Sequence, residues 1–209
     1  MCNLPFVQFK YQLYLPFNYQ VGMRICTKSM GENIHKTLAA IITSLFHNPP
    51  TVHVIAAPEC GGTHRIQLFS NGLKSRSTNY CCPDVAITLN GELSVILEIE
   101  QTGIVSPGRI GGKVLPVSMS RNLCSEAMGS NPVSISRNTT FIQVVNTAPL
   151  QPTTSKLRQY ENLEADIRKT LPLRCIVRYF LIPIVAEESP PFATTKYDFL
   201  LEAIREGFA

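Results

Sequence analysis

The stretch from Pro83 to Gln101, PDVAITLNGELSVILEIEQ, constrains this chain most, because it carries three acids among otherwise apolar residues and reads as a β-hairpin. Val85, Ile87 and Leu89 alternate with Asp84, Ala86 and Thr88, and Val95, Leu97 and Ile99 alternate with Ile96, Glu98 and Glu100, the period of two of a strand. Asn90-Gly91 supplies the turn. A two-residue loop pairs Leu89 with Glu92 and sets Asp84 opposite Leu97, mixing acids and hydrophobes on each face. A three-residue connection, or one bulge, shifts the pairing by one and gathers Asp84, Glu98 and Glu100 on a single face. The hydrophobic pattern therefore selects the register that clusters the carboxylates. Like charges so placed repel and lose hydration, so a neutralising cation is expected. Magnesium, bound through carboxylate oxygens and water, suits such a site best.

Pro83-Asp84, followed after thirteen residues by Glu98-Ile99-Glu100 on the next strand, resembles the PD-(D/E)xK signature of restriction-endonuclease-like nucleases. Glu100 stands where that pattern usually has lysine, a departure also found in a minority of the family's restriction enzymes. The resemblance implies a mixed central β-sheet flanked by helices in αβββαβ order, an α/β fold. It also implies Mg2+ held by Asp84 and Glu98, with Glu100 as a ligand of the attacking water or as proton acceptor. A glutamate on the first core helix often joins such sites, which nominates Glu32. Type II restriction endonucleases are the preferred group within the resemblance, acting on double-stranded DNA as homodimers.

Other readings of the same residues stand beside this one. Glu92, next to the turn, reads as a solvated residue. Ile96, between Ser94 and Glu98 on one face, argues for partial burial of the acids rather than a solvated face. Glu100, at the strand end, reads equally as solvated or catalytic. Glu32 completes an S-x-x-E capping box from Ser29, which explains it as well as a metal role does.

At 209 residues, with 44% hydrophobic and 16% charged, the chain is long enough for one well-buried domain, and no segment has the apolar length to cross a bilayer. The expected organisation is one nuclease domain over 1–209, with an amino-terminal strand extension at 1–28, a catalytic core at 29–184 and a carboxy-terminal helix at 185–209. The first residues lack the order of a secretion signal, so a cytoplasmic location with no membrane partner is expected. Seven cysteines without CxxC spacing argue against a disulfide framework and a zinc knuckle, and the Asn138-Thr139-Thr140 sequon then carries no meaning.

The net charge of +4 is unevenly spread. Met1 through Pro83 carries seven Lys and Arg against Glu32 and Glu59, and Thr102 to Thr140 carries Arg109, Lys113, Arg121 and Arg137 against Glu126. A basic surround about an acidic centre suits an enzyme acting on a polyanion, although scattered surface lysines and arginines produce the same balance. These four basic residues are the candidate DNA contacts, on a segment whose part from Ser106 to Lys113 reads as a loop. Gly111-Gly112-Lys113 is not a Walker A motif, because its first glycine is misplaced and no Ser or Thr follows the lysine. Lys113 is a candidate for the positive charge missing at Glu100 if the chain folds back.

Along the chain, alternation over Val7–Leu15 suggests a strand. Ile34, Leu38, Ile41, Ile42 and Leu45 recur at helical spacing. Residues 51–55 and 64–69 read as short strands. A weaker helical pattern covers 114–128, then a strand is expected at 140–145, a helix at 155–171, a strand at 175–182 and a helix at 196–207. His53 and His64 have no partner at ligand spacing and read as packed or exposed residues. The functional expectation is metal-dependent hydrolysis of phosphodiesters in double-stranded DNA. The alternatives are a structure-specific repair or recombination nuclease, a homing-type endonuclease, and a non-catalytic nucleic-acid-binding domain on a nuclease fold.

Overall fold

The computed structural model describes residues 34–71, 74–101, 105–129, 131–151, 153–185 and 194–209. The strand expected at 7–15, the Ser29 capping box and Glu32 lie outside them.

The chain forms a mixed α/β fold with four helices and eight strands among the described residues. Helix α1 (Ile34–Phe46) buries Ile34, Leu38 and Ile42, the stripe its apolar spacing predicts. Strand β1 (Val52–Ala56) follows, then the short strands β2 (Gln67–Phe69) and β3 (Asn79–Cys81), and then the hairpin of β4 (Val85–Leu89) and β5 (Glu92–Glu100). Helix α2 (Pro107–Met119), strand β6 (Asn122–Cys124), the long strand β7 (Val133–Asn146), helix α3 (Lys156–Lys169), strand β8 (Ile176–Ile184) and helix α4 (Thr194–Glu206) complete the order.

The main part of the sheet runs β1-β4-β5-β7-β8, antiparallel across its first three strands and parallel across its last three. The beginning of β7 bends away to pair with β6, which carries β2 and β3. Helices cover both faces of the main sheet. Ile34, Leu38 and Ile42 of α1 and Leu200 and Ile204 of α4 share one core with Val85, Ile87, Val95, Leu97 and Ile99. Ile110, Val114 and Val117 of α2 and Tyr160 of α3 share the other with Ala86, Ile96 and Phe141. Each buried aliphatic side chain contributes about 1.5–3 kcal/mol of transfer free energy, so two continuous apolar layers fix which face of β5 meets which helices.

The hairpin combines both ways of connecting its strands. Its turn is a two-residue one, with Leu89 paired to Glu92 and positive φ at Asn90 (51°) and Gly91 (85°), the conformation that Asn-Gly favours. The register then slips between Ile87 and Thr88, where Ile87 pairs with Val95 and Thr88 with Leu93, leaving Ser94 as an extra residue. Past that bulge Val85 pairs with Leu97, so the apolar stripes of both strands share one face.

The segment after the hairpin differs from its expected loop. Ser106 to Lys113 begins α2: Pro107 occupies the first turn, and the Ser106 hydroxyl accepts from the Arg109 N–H at 3.2 Å. The helix expected over 114–128 ends at Met119, and β6 and a turn of 3-10 helix at Glu126–Met128 occupy the remainder. Gly111, Gly112 and Pro116 lower helix propensity, but burial of Ile110, Val114 and Val117 against the sheet outweighs them. The strand expected at 64–69 is confined to Gln67–Phe69, and β7 begins seven residues earlier than its apolar run.

Candidate functional site

The bulged register places Asp84 beside Glu98. The Asp84 N–H donates to the Leu97 carbonyl at 3.1 Å, and Asp84 Oδ2 accepts from the Ile99 N–H at 2.6 Å. Glu98 and Glu100 lie two apart on β5 and so share the face that meets α2. That face is a core face: Glu98 is 4% exposed and Glu100 3%. The reading of Glu100 as a solvated strand end is therefore overturned, because α2 packs over it. Glu92 is exposed at the turn, as its position suggested.

Helix α2 answers the buried acids with two cations. Arg109 and Lys113 are four residues apart and share one helical face. Lys113 Nζ lies 2.6 Å from Glu98 Oε2 and 2.6 Å from Glu100 Oε1, while Arg109 Nη2 lies 3.1 Å from Glu100 Oε2. The fold-back that would bring Lys113 to the acids is thus present, through a helix. Lys113 and Arg109 are both engaged by these carboxylates. Arg121 and Arg137 are exposed near the other end of β5, where Ile135 pairs with Leu93 and its N–H donates to the Arg121 carbonyl. Five residues of strand, about 16 Å, separate that level from Glu98. The four basic candidates therefore form two separate pairs.

A cavity of about 390 Å³ opens over this cluster, lined by Asp84, Glu98, Glu100, Lys113, Arg109 and also His35 of α1. His35 was not singled out by the sequence, and the signal that could have found it is its place on the first turn of the described helix, one residue from the buried Ile34. Its Nδ1 lies 2.8 Å from Gln101 Oε1 and its Nε2 lies 3.9 Å from Asp84 Oδ2. His53 packs edge-on against His47, and His64 pairs with Glu126 at 3.2 Å, so both are engaged away from the cavity.

Burial dominates the electrostatics. It pushes Glu98 up to about 7, against the opposing pull of the Lys113 ammonium. Asp84 is raised in the same direction by burial, although the Ile99 N–H and His35 oppose it. Burial alone would lower Lys113, but Glu98 and Glu100 outweigh it and hold the amine above its ordinary value. Cys60 and Cys81 are pushed up to about 12, first by burial and then by Asp84 and Glu98 respectively, which removes either thiol as a thiolate nucleophile near neutral pH. The cluster thus holds more negative charge than its buried surroundings favour, and it accommodates a proton or a further cation.

Asp84 and Glu98 suit a hard divalent ion in chemistry, because they are neighbouring carboxylates lining one cavity and burial disfavours their charged forms. As the side chains stand, no three His, Cys, Asp or Glu residues among those described converge into a metal-holding group, and Lys113 bridges Glu98 and Glu100. No helix among the described residues is long and apolar enough to cross a membrane. Comparison with protein-family models, with curated proteins and with solved structures returned no match.

Proposed function

We propose that this protein is a metal-dependent endonuclease acting on double-stranded DNA, of the restriction-endonuclease-like kind and type II in its organisation. The observation that carries the reading is the meeting of Asp84, Glu98 and a lysine in one cavity, with Lys113 at 2.6 Å from Glu98. The helix, three antiparallel strands, helix and parallel strand of α1, β1, β4, β5, α2 and β7 follow the order that the resemblance implies, with β2 and β3 inserted between β1 and β4 and β6 between α2 and β7.

In this reading Asp84 and Glu98 would hold Mg2+, which when bound would supply positive charge for a phosphate and for activating water. The Asp84 carboxylate is oriented for that role by the Ile99 N–H. Lys113 would take the part of the lysine that the motif lacks at Glu100, since its ammonium lines the cavity beside Glu98 and could meet negative charge developing on a phosphate there. Glu100 becomes a positioning residue, holding Lys113 and Arg109 from a buried carboxylate. Arg109, 58% exposed at its side chain, offers the outer cation for the phosphate backbone once substrate competes for it.

Incubation of the purified protein with mixed-sequence duplex DNA, with and without Mg2+, tests the reading. Discrete fragments that need the metal support it, and cutting confined to branched DNA selects a repair or recombination enzyme. The second reading, a non-catalytic nucleic-acid-binding domain, is favoured by the ion pairs that already satisfy Glu98 and Glu100. DNA binding with no cleavage under any divalent ion selects it.

A further inference from the structure

His35 lines the cavity beside Asp84, and the nuclease reading leaves it without a role. Its Nδ1 lies 2.8 Å from Gln101 Oε1, and with Nδ1 as the donor of that contact Nε2 is the ring nitrogen left to meet an ion. Nε2 lies 3.9 Å from Asp84 Oδ2, beyond hydrogen-bond reach, and the two side chains are similarly exposed, 17% and 16%. Each side chain is held by a second contact, His35 through its other ring nitrogen to Gln101 and Asp84 through the Ile99 N–H, which donates to the same Oδ2 that faces His35. Such outer partners orient metal ligands and fix the imidazole tautomer.

We infer that His35 Nε2 and Asp84 form a mixed nitrogen and oxygen seat for a divalent cation, and that this seat prefers Mn2+ to Mg2+. Neighbouring ligand atoms on one ion with bonds near 2.1 Å lie about 3 Å apart, so the pair closes by roughly 0.9 Å, a side-chain adjustment. Mg2+ takes oxygen ligands and gains little from imidazole, whereas affinity for first-row transition ions rises with a nitrogen donor. Water supplies the remaining positions, which is why two side chains suffice. The inference rests on the nuclease reading only in taking Asp84 as a metal ligand.

The test uses the full chain with Mn2+ in the absence of DNA. Electron spin-echo spectra of the bound Mn2+ show modulation from one imidazole nitrogen, and His35→Gln abolishes it. The same variant weakens Mn2+ binding about tenfold or more, and Mg2+ binding by less than about threefold. Gln101→Leu, which frees the ring to its other tautomer, weakens Mn2+ in the same direction by a smaller factor. His35→Asn repeats the measurement, and circular dichroism checks that each variant is folded. Absence of nitrogen modulation in the native chain, its persistence in His35→Gln, or failure to bind Mn2+ overturns the seat. Cleavage is read separately. DNA cut without nitrogen modulation rejects the seat and keeps the nuclease, whereas nitrogen-bound Mn2+ without cutting under any divalent ion does the reverse.

Discussion

Replacing Lys113 with methionine removes the ammonium that bridges Glu98 and Glu100 while keeping most of the apolar stem. The two contacts, both 2.6 Å, reach carboxylates that are 6% and 3% exposed at their side chains. At an effective dielectric of about 20 each contact has a gross Coulomb energy of about 6 kcal/mol, largely offset by the hydration that all three groups lose. Removing one member of a buried ionic group typically costs about 3–5 kcal/mol, because the remaining charge is stranded. Arg109 stays 3.1 Å from Glu100 and Lys113 is itself 31% exposed, so the lower end is expected at pH 8, about 3 kcal/mol. For a chain of this size that lowers Tm by roughly 6–12 °C.

The loss should depend on pH in a defined direction. Glu98 already titrates in the folded protein at about 7, above its ordinary 4.5, and without Lys113 its folded value rises further. A carboxyl raised on folding contributes stability that is fully present below its unfolded pKa and is lost as pH rises through the folded value. The part of the Tm deficit of Lys113→Met that comes from Glu98 is therefore absent near pH 4.5 and opens above pH 7, so the deficit is smaller at pH 5 than at pH 8. Thermal unfolding of the metal-free protein and variant across this range, followed by circular dichroism, makes the measurement. An equal deficit at pH 5 and pH 8 would refute the electrostatic account and assign the loss to packing of the lysine stem.

Asp84→Asn and Glu98→Gln are each expected to lower Mg2+-dependent cleavage about 10²-fold or more while leaving metal-free DNA binding unchanged or tighter, since each removes a negative charge. Cutting retained in either variant, measured on a labelled duplex, excludes its metal role. Glu100→Ala is expected to lower both the rate and the stability, the latter by about 2–4 kcal/mol in denaturant titrations, because the carboxylate is buried between Lys113 and Arg109. A stability change within about 0.5 kcal/mol would return Glu100 to a solvated face. Gly62→Ala puts a Cβ 1.7 Å from the Ala56 carbonyl oxygen, so the loop after β1 must move, with an expected loss of about 3 kcal/mol or more. An unchanged Tm would show that this close approach is not made.

What was legible in the sequence follows from how local each signal is. The acidic hairpin could be read because period-two alternation, an Asn-Gly turn and the separation of acids from hydrophobes agree, and one bulge at Ser94 reconciles the tight turn with that separation. Helix α2 was hidden because Gly111, Gly112 and Pro116 dominate its composition, yet Ser106-Pro107 is a helix start and Ile110, Val114 and Val117 keep a helical spacing. The same hidden helix kept Lys113 a conditional candidate for the charge missing at Glu100 and left Arg109 without its acidic partner, because both contacts are made across the tertiary fold. Strands β2, β3 and β6 have three residues each, too few for a period to show. The approach of His35 to Asp84 depends on how α1 lies over the end of the hairpin, which no local pattern encodes.

The proposed function entails that two copies of the chain meet on a two-fold DNA site. A free sheet edge is the simplest place for self-pairing, and both edges of the main sheet are occupied. On β8, Glu164 accepts from the Leu181 N–H at 3.1 Å and Arg168 Nε donates to the Tyr179 carbonyl at 2.9 Å, the two side chains being tied to each other at 2.8 Å. Pro183 follows Leu181 by two residues, so its nitrogen faces the same outer side and offers no N–H. On β1, the Val52 N–H donates to the Asn48 carbonyl at 3.0 Å and the Val54 N–H to His47 Nδ1 at 3.2 Å, while the Ala56 carbonyl lies against Gly62. A strand from a second copy would have to displace an ion pair at one edge or a local turn at the other. Homodimerisation by extension of the main sheet is thereby disfavoured, and a two-fold contact is left to the helical faces, to the β2-β3-β6 arm, or to segments outside the described residues.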